Sequence, residues 1–293
     1  METSRRSPGY WVYRALRLAL FAYIAVLAYL YIAQTWMIFP GRSSQGQTYA
    51  RVVPSRGAEL VELTTASGDR VAALFGPALT REGAAREDAA SRPTLLFFYG
   101  NGDCLAANVD LFDEFRRLGA NVMIPDYTGY GMSGGEASEA GCYATADAAY
   151  DYLRARPGVD PERLFVAGWS LGSAVAVDLA SRRPVAGLAI FSAFTSMADM
   201  ARVLYPFLPV SWLLHHRFES EEKIAKVTCP ILIGHGRLDR AIPFAMSDRL
   251  EAAAGGPVTR VAVDTDHNDF FAGGLAAVLG PLSRLLDPEG GLV

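Results

Sequence analysis

The distribution of apolar and polar positions divides the chain into two unlike parts. Residues 18–39, LALFAYIAVLAYLYIAQTWMIF, carry no charge and are apolar all round a helix. A helix of that length is roughly 33 Å long, enough to cross the hydrocarbon core of a bilayer. Residues 40–58 turn polar and contain glycine, the composition of a linker. Two short strand-like runs follow, 60–65 and 70–75, joined through the turn sequence Ser67-Gly68-Asp69. Residues 80–92 are charged and Ala-rich, which predicts an exposed loop. After Pro93 apolar strand patterns alternate with helical ones. Strands are predicted at 94–99, 121–125, 164–167, 185–191, 231–234 and 260–263, with helical spacing at 105–118 and 139–156. Strands apolar on both faces and alternating with helices indicate a mostly parallel sheet covered on both sides, an α/β fold.

Flanking charge bears on the first part. Arg5, Arg6, Arg14 and Arg17 precede the apolar run against the single acid Glu2, which favours a cytoplasmic N-terminus with the rest of the chain on the opposite side. Arg42, Arg51 and Arg56 follow the run and weaken that asymmetry. Trp36 and the tyrosines near the ends suit the membrane interface. A cleavable signal peptide fits less well: the run is long, and no small-x-small site stands near Ala33. The expected organisation is a short basic segment (1–17), a single-pass signal anchor (18–39), a linker (40–58) and one α/β domain (59–288).

Composition narrows the function. Of 293 residues 51% are hydrophobic and 20% charged, enough for one large domain. The net charge of −4 gives no electrostatic case for binding nucleic acid. Cys104, Cys142 and Cys229 are far apart and lack C-x-x-C spacing, so neither a disulfide framework nor a zinc site is indicated. No metal and no cofactor is implied.

The candidate chemistry centres on Gly168-Trp169-Ser170-Leu171-Gly172, a G-x-S-x-G pentapeptide entered by the apolar run ending Phe165-Val166-Ala167 and left by a helical run. That context makes a nucleophile elbow: a strained turn exposing the serine Oγ at a strand end, with glycines where Cβ atoms would collide. A serine hydroxyl needs a base, and the base an orienting acid. One recurring chain order places serine first, the acid next and histidine last. His267, after the final strand, suits the base, and Asp239, in GHGRLDRAIP, suits the acid. Asp266 and Asp269 share the His267 loop and remain the alternative acids; His235, upstream of the acid, reads as structural. The tetrahedral intermediate needs two N–H donors. Leu171 follows the nucleophile, and Asn101 lies in the Gly-rich loop Tyr99-Gly100-Asn101-Gly102-Asp103 after a strand.

These motifs resemble the α/β-hydrolase superfamily, and within it the N-terminally anchored serine hydrolases that include protein depalmitoylases. The likeness covers residues 55–285. Residues 97–103 resemble the family's F-x-H-G-N-x-G loop, 126–133 its D-Y-R-G-Y-G-x-S loop and 168–172 its elbow, while 236–243 and 266–270 resemble its acid and histidine stretches. The resemblance implies the family's fold, its Ser-His-Asp triad (Ser170, His267, Asp239) and its oxyanion hole (Leu171, Asn101), and makes Asp126 a structural loop residue. Two positions depart from the pattern. Tyr99 stands where histidine is usual, and Asp266 where glycine is usual, adding a carboxylate that is expected to raise the pKa of the base. Residues 192–226, rich in Phe, Met, Leu and Trp, stand where this fold inserts a short cap and could line an acyl pocket. The expected activity is hydrolysis of an acyl ester or thioester on a small-molecule or lipid-like substrate at a membrane. Peptidase or amidase activity with the same triad, a perhydrolase, and a catalytically silent tethered binding module are the other readings.

Overall fold

The computed structural model describes residues 7–288 and 290. Glu2, Arg5 and Arg6, named for their flanking charge, lie outside the described residues. The chain runs in order through α1 (Pro8–Ile38), β1 (Glu59–Thr64), β2 (Arg70–Gly76), β3 (Thr94–Phe98), α2 (Val109–Arg117), β4 (Asn121–Pro125), α3 (Glu139–Ala155), β5 (Leu164–Trp169) and α4 (Leu171–Arg182). It continues through β6 (Gly187–Phe191), α5 (Met197–Leu204), α6 (Ser220–Ile224), β7 (Ile231–Gly236), α7 (Ala245–Ala253), β8 (Val258–Val263) and α8 (Phe270–Leu286).

The strands form one eight-stranded sheet in the order β1-β2-β4-β3-β5-β6-β7-β8. β2 is antiparallel to both its neighbours, and every pairing from β4 to β8 is parallel. All residues of β3, β4 and β6 are buried, as a parallel sheet with helices on both faces requires. The parallel strands end on one edge of the sheet, and the loops that carry Ser170, Asp239 and His267 leave from that edge.

Tertiary contacts move several element boundaries. The helical spacing at 105–118 resolves into a tight turn, Leu105–Asn108, followed by α2, because Asp126 captures the Leu105 N–H at 2.7 Å and Asn108 turns back onto the Cys104 carbonyl. β7 runs to Gly236 because β8 pairs with it as far as Val263.

Helix α1 stands largely outside this layered body. Most of its 31 residues are exposed, and only Gln34 and Ile38 are buried, at the end where it meets the domain. The polar stretch after it does not hang free. Gly46 donates to the Gly131 carbonyl, Gln45 reaches the carbonyls of Ser133 and Gly135, and Ser44 links the Gly41 carbonyl to the Gly131 N–H. These bonds fix where the helix leaves the domain.

Candidate active site

Sterics at the turn between β5 and α4 dictate the position of Ser170. Its φ of 55° and ψ of −119° are strained for a residue with a Cβ. A Cβ on Gly168 would stand 2.1 Å from the Gly172 carbonyl oxygen, and one on Gly172 would stand 2.0 Å from that of Phe98. Only glycine allows these three chain segments to approach so closely. The Ser170 N–H donates to the Phe191 carbonyl at 2.9 Å, which ties the turn to β6.

His267, in the loop after β8, places Nε2 3.0 Å from Ser170 Oγ, and its Nδ1 lies 2.7 Å from Asp239 Oδ2. A carboxylate only accepts, so Nδ1 carries the proton and Nε2 of the neutral ring is free to accept from the serine hydroxyl. The other oxygen of Asp239 accepts from the N–H groups of Ala241 (2.9 Å) and Ile242 (2.7 Å). Burial alone would raise the pKa of this carboxyl, but the hydrogen bonds from His235, His267 and Ile242 outweigh burial and hold it well below the ordinary carboxylate range.

The neighbouring residues fall into clear places. His235 is fully buried, with Nε2 3.0 Å from the Ile242 carbonyl oxygen and 3.4 Å from Asp239 Oδ2, so it braces the Asp239 loop. Asp266 is engaged elsewhere: it accepts from the main-chain N–H groups of Arg240 and His267 and pairs with the Arg240 guanidinium. Those bonds lower its pKa to about 2. The carboxylate that departs from the family pattern therefore comes with its own counter-charge. Asp269 stands at the start of α8 and makes no hydrogen bond to the imidazole among the described residues.

The main-chain N–H groups of Leu171 and Asn101 have no acceptor among the described residues, and both residues border the same cavity as Ser170 and His267. The loop of Asn101 is held from two sides. Its carbonyl accepts from Gly41 N–H (2.9 Å) and the Tyr130 hydroxyl (3.0 Å), while its side chain donates to the Ile38 carbonyl at 2.9 Å. The end of α1 thus clamps the loop. Tyr99, at its root, donates to Asp126 at 2.8 Å, and Asp126 also accepts from Leu105 and Met132 N–H groups. Burial pushes the Tyr99 phenol pKa well up, helped by the Asp126 charge, so the phenol keeps its proton and acts as a strut. A Cβ on Gly131 would lie 2.2 Å from Asp126, which explains the glycine in that loop.

Two features were not read from the sequence. Trp169, the variable residue of the elbow, stacks on His267 with ring centroids 5.2 Å apart and planes 28° apart; its place beside Ser170 was the available signal. The second is the part α1 plays in the apolar cavity of about 400 Å³, which the 192–226 segment was expected to line. Ser170 and His267 lie at one end, and α5 and the segment after it supply Met197, Met200, Leu204 and Leu213. A further wall is α1, through Leu30, Gln34, Met37 and Ile38. Gln34, the amide within the apolar run, ties this wall to the facing segment. It donates to the Leu213 carbonyl (3.0 Å) and accepts from His215 N–H (2.6 Å).

Residues 93–212 match the α/β hydrolase fold family. An uncharacterised protein of Mycobacterium tuberculosis is 35% identical over 245 residues, 83% of this chain and 84% of that protein. Human alpha/beta hydrolase domain-containing protein 17C is 39% identical over 156 residues, 53% of this chain and 46% of that protein. Among solved structures, an esterase of Pyrococcus furiosus superimposes with a TM-score of 0.65 at 16% identity, covering 81% of this chain and 96% of that one. An acetyl xylan esterase from Paenibacillus gives 0.63 at 14% identity, covering 81% and 86%. The chain belongs to the α/β-hydrolase superfamily and has the α/β-hydrolase fold.

Proposed function

We propose that this hydrolase cleaves acyl esters or thioesters through a covalent acyl-enzyme on Ser170. The observation that carries the reading is the unbroken relay Ser170–His267–Asp239, at 3.0 and 2.7 Å, opening into an apolar cavity. His267 Nε2 takes the Ser170 proton as Oγ attacks the acyl carbonyl. Asp239 holds the imidazole in the correct tautomer and stabilises the imidazolium. The N–H groups of Leu171 and Asn101 bind the oxyanion, with the start of α4 adding its dipole. Collapse breaks the bond to the alkoxide or thiolate, which leaves with the proton from His267. Water, deprotonated in turn by His267, attacks the acyl-enzyme, releases the acid and restores Ser170.

The apolar walls favour an acyl chain over a peptide, since a peptide backbone brings polar groups that this lining leaves unpaired. We also propose that α1 is a retained single-pass membrane anchor. Its uninterrupted apolar run and exposed length support this, and Arg14 and Arg17 support a cytoplasmic N-terminus with the hydrolase domain on the far side.

Labelling with a fluorophosphonate probe tests the mechanism. Wild type should label, and the Ser170→Ala and His267→Ala variants should not; a series of acyl esters and thioesters of increasing chain length then ranks substrates. Undiminished labelling or turnover in Ser170→Ala refutes the assignment.

A further inference from the structure

Helix α1 both carries the membrane-spanning pattern and builds a wall of the cavity. The apolar run ends at Phe39, and Leu30 lies nine residues earlier, roughly 13 Å along a helix axis. That is close to the depth of one leaflet of a hydrocarbon core about 30 Å thick. The cavity wall from Leu30 to Ile38 therefore coincides with leaflet depth. Trp36 and Arg42 mark the water boundary on this side: the Arg42 guanidinium stands 3.7 Å over the Trp36 ring.

The segment that closes the cavity from the other side is pinned to the same stretch of helix. Gln34 bonds both Leu213 and His215, Thr35 Oγ1 lies 3.0 Å from His216 Nε2, and the His215 ring packs edge-on against Tyr31 at 4.5 Å. A polar side chain within a membrane run is satisfied by protein, as such residues must be. The segment's own outward side chains are unlike a water-facing loop. Phe207 is 92% exposed, Trp212 88% and Leu204 60%, and the last also lines the cavity. Fully exposed aromatic side chains beside a cavity mark a surface that meets an apolar phase.

We infer that residues 203–214 are immersed in the leaflet that α1 crosses, with Phe207 and Trp212 as the inserted side chains, and that the substrate is a membrane-resident amphiphile. Its acyl chain passes from the leaflet into the cavity between Leu30 and Leu204 and reaches Ser170 without crossing water. This inference rests on the membrane-anchored hydrolase reading given above. The occupant of the exposed surface is a lipid leaflet because the surface is continuous with the helix that enters one.

The test uses the full chain reconstituted in phosphatidylcholine vesicles. An environment-sensitive nitrobenzoxadiazole label is attached, in a Cys229→Ala background, through Phe207→Cys, Ala25→Cys or Glu87→Cys. Ala25 faces outward on α1, and Glu87 lies on an exposed loop. Labels at 207 and 25 should both emit at blue-shifted wavelength and be quenched by doxyl-labelled lipid, while the label at 87 stays aqueous. An aqueous signal at 207 with quenching at 25 overturns the inference and leaves the anchor standing. Aqueous signals at both positions overturn the anchor and the inference together. A second measurement compares substrates: Phe207→Ser/Trp212→Ser should hydrolyse a short, water-soluble ester within about twofold of wild type and lose about tenfold or more on a long-chain ester embedded in vesicles. Equal loss on the two substrates, or no loss on the embedded one, overturns it as well. The label reports immersion whether or not any ester is cleaved, so it stands apart from the proposed activity.

Discussion

Replacing Asp239 by asparagine separates charge and tautomer from shape. The side chain is isosteric and fully enclosed, and asparagine can keep its oxygen on the Ala241 and Ile242 N–H groups, now 2.9 and 2.7 Å away. Its NH2 then faces His267 Nδ1 across 2.7 Å, and two donors cannot share that contact. The ring must turn Nδ1 into an acceptor, which moves its proton to Nε2 and leaves nothing to take the hydrogen of Ser170. The lost imidazolium stabilisation adds to this, and kcat on a soluble ester should fall about 10³- to 10⁴-fold, or about 4 to 5.5 kcal/mol of barrier. Losing charge-assisted bonds should cost about 1–3 kcal/mol of stability. That appears as a fall of several degrees in Tm, with the fold retained. The assay is kcat/KM on a short ester for Asp239→Asn beside Asp266→Asn, each verified by circular dichroism. Asp266→Asn should stay within a few-fold of wild type, because that carboxylate serves Arg240 at the surface. Activity within tenfold of wild type in Asp239→Asn, with collapse in Asp266→Asn, would make Asp266 the acid and refute the reasoning.

Other outcomes follow from the same geometry. Gly172→Ala places a methyl group 2.0 Å from the Phe98 carbonyl oxygen, with backbone on both sides, and should destabilise the domain by about 3 kcal/mol, read as a lowered Tm and lost probe labelling. Trp169→Leu removes the ring stacked on His267 and should lower kcat about tenfold, whereas Trp169→Phe should recover most of it; no change in either variant would assign the stack to packing alone. The native pKa of Asp239 lies below the unfolded value near 4, so its stabilisation is complete above that pH and fades as pH falls through the native value. The Tm advantage of wild type over Asp239→Asn should accordingly narrow below about pH 4.

Features set by local constraints could be read along the chain. Burial on both faces leaves a parallel strand no polar alternation, so β3, β4 and β6 were visible as apolar runs, with ends displaced by a residue or two where a partner strand or a capturing carboxylate intervened. The elbow was legible because its constraint is steric and contained within five residues. The order of Ser170, Asp239 and His267 was legible because each lies just beyond a strand of the same edge. Chain order and loop placement favoured Asp239 but left Asp266 and Asp269 open, since the outcome turns on which carboxylate the loop after β7 delivers to Nδ1 and on an arginine 26 residues from Asp266 that claims the competitor. Nor could the sequence show that α1 walls the cavity. Apolarity suits both lipid and a cavity wall, and nothing along the chain signals that Gln34 will meet Leu213, 179 residues away, or that the Ile38 carbonyl will hold Asn101. Those contacts exist only once the sheet has set its loops side by side, because burial and hydrogen bonding between distant segments depend on where the fold brings them.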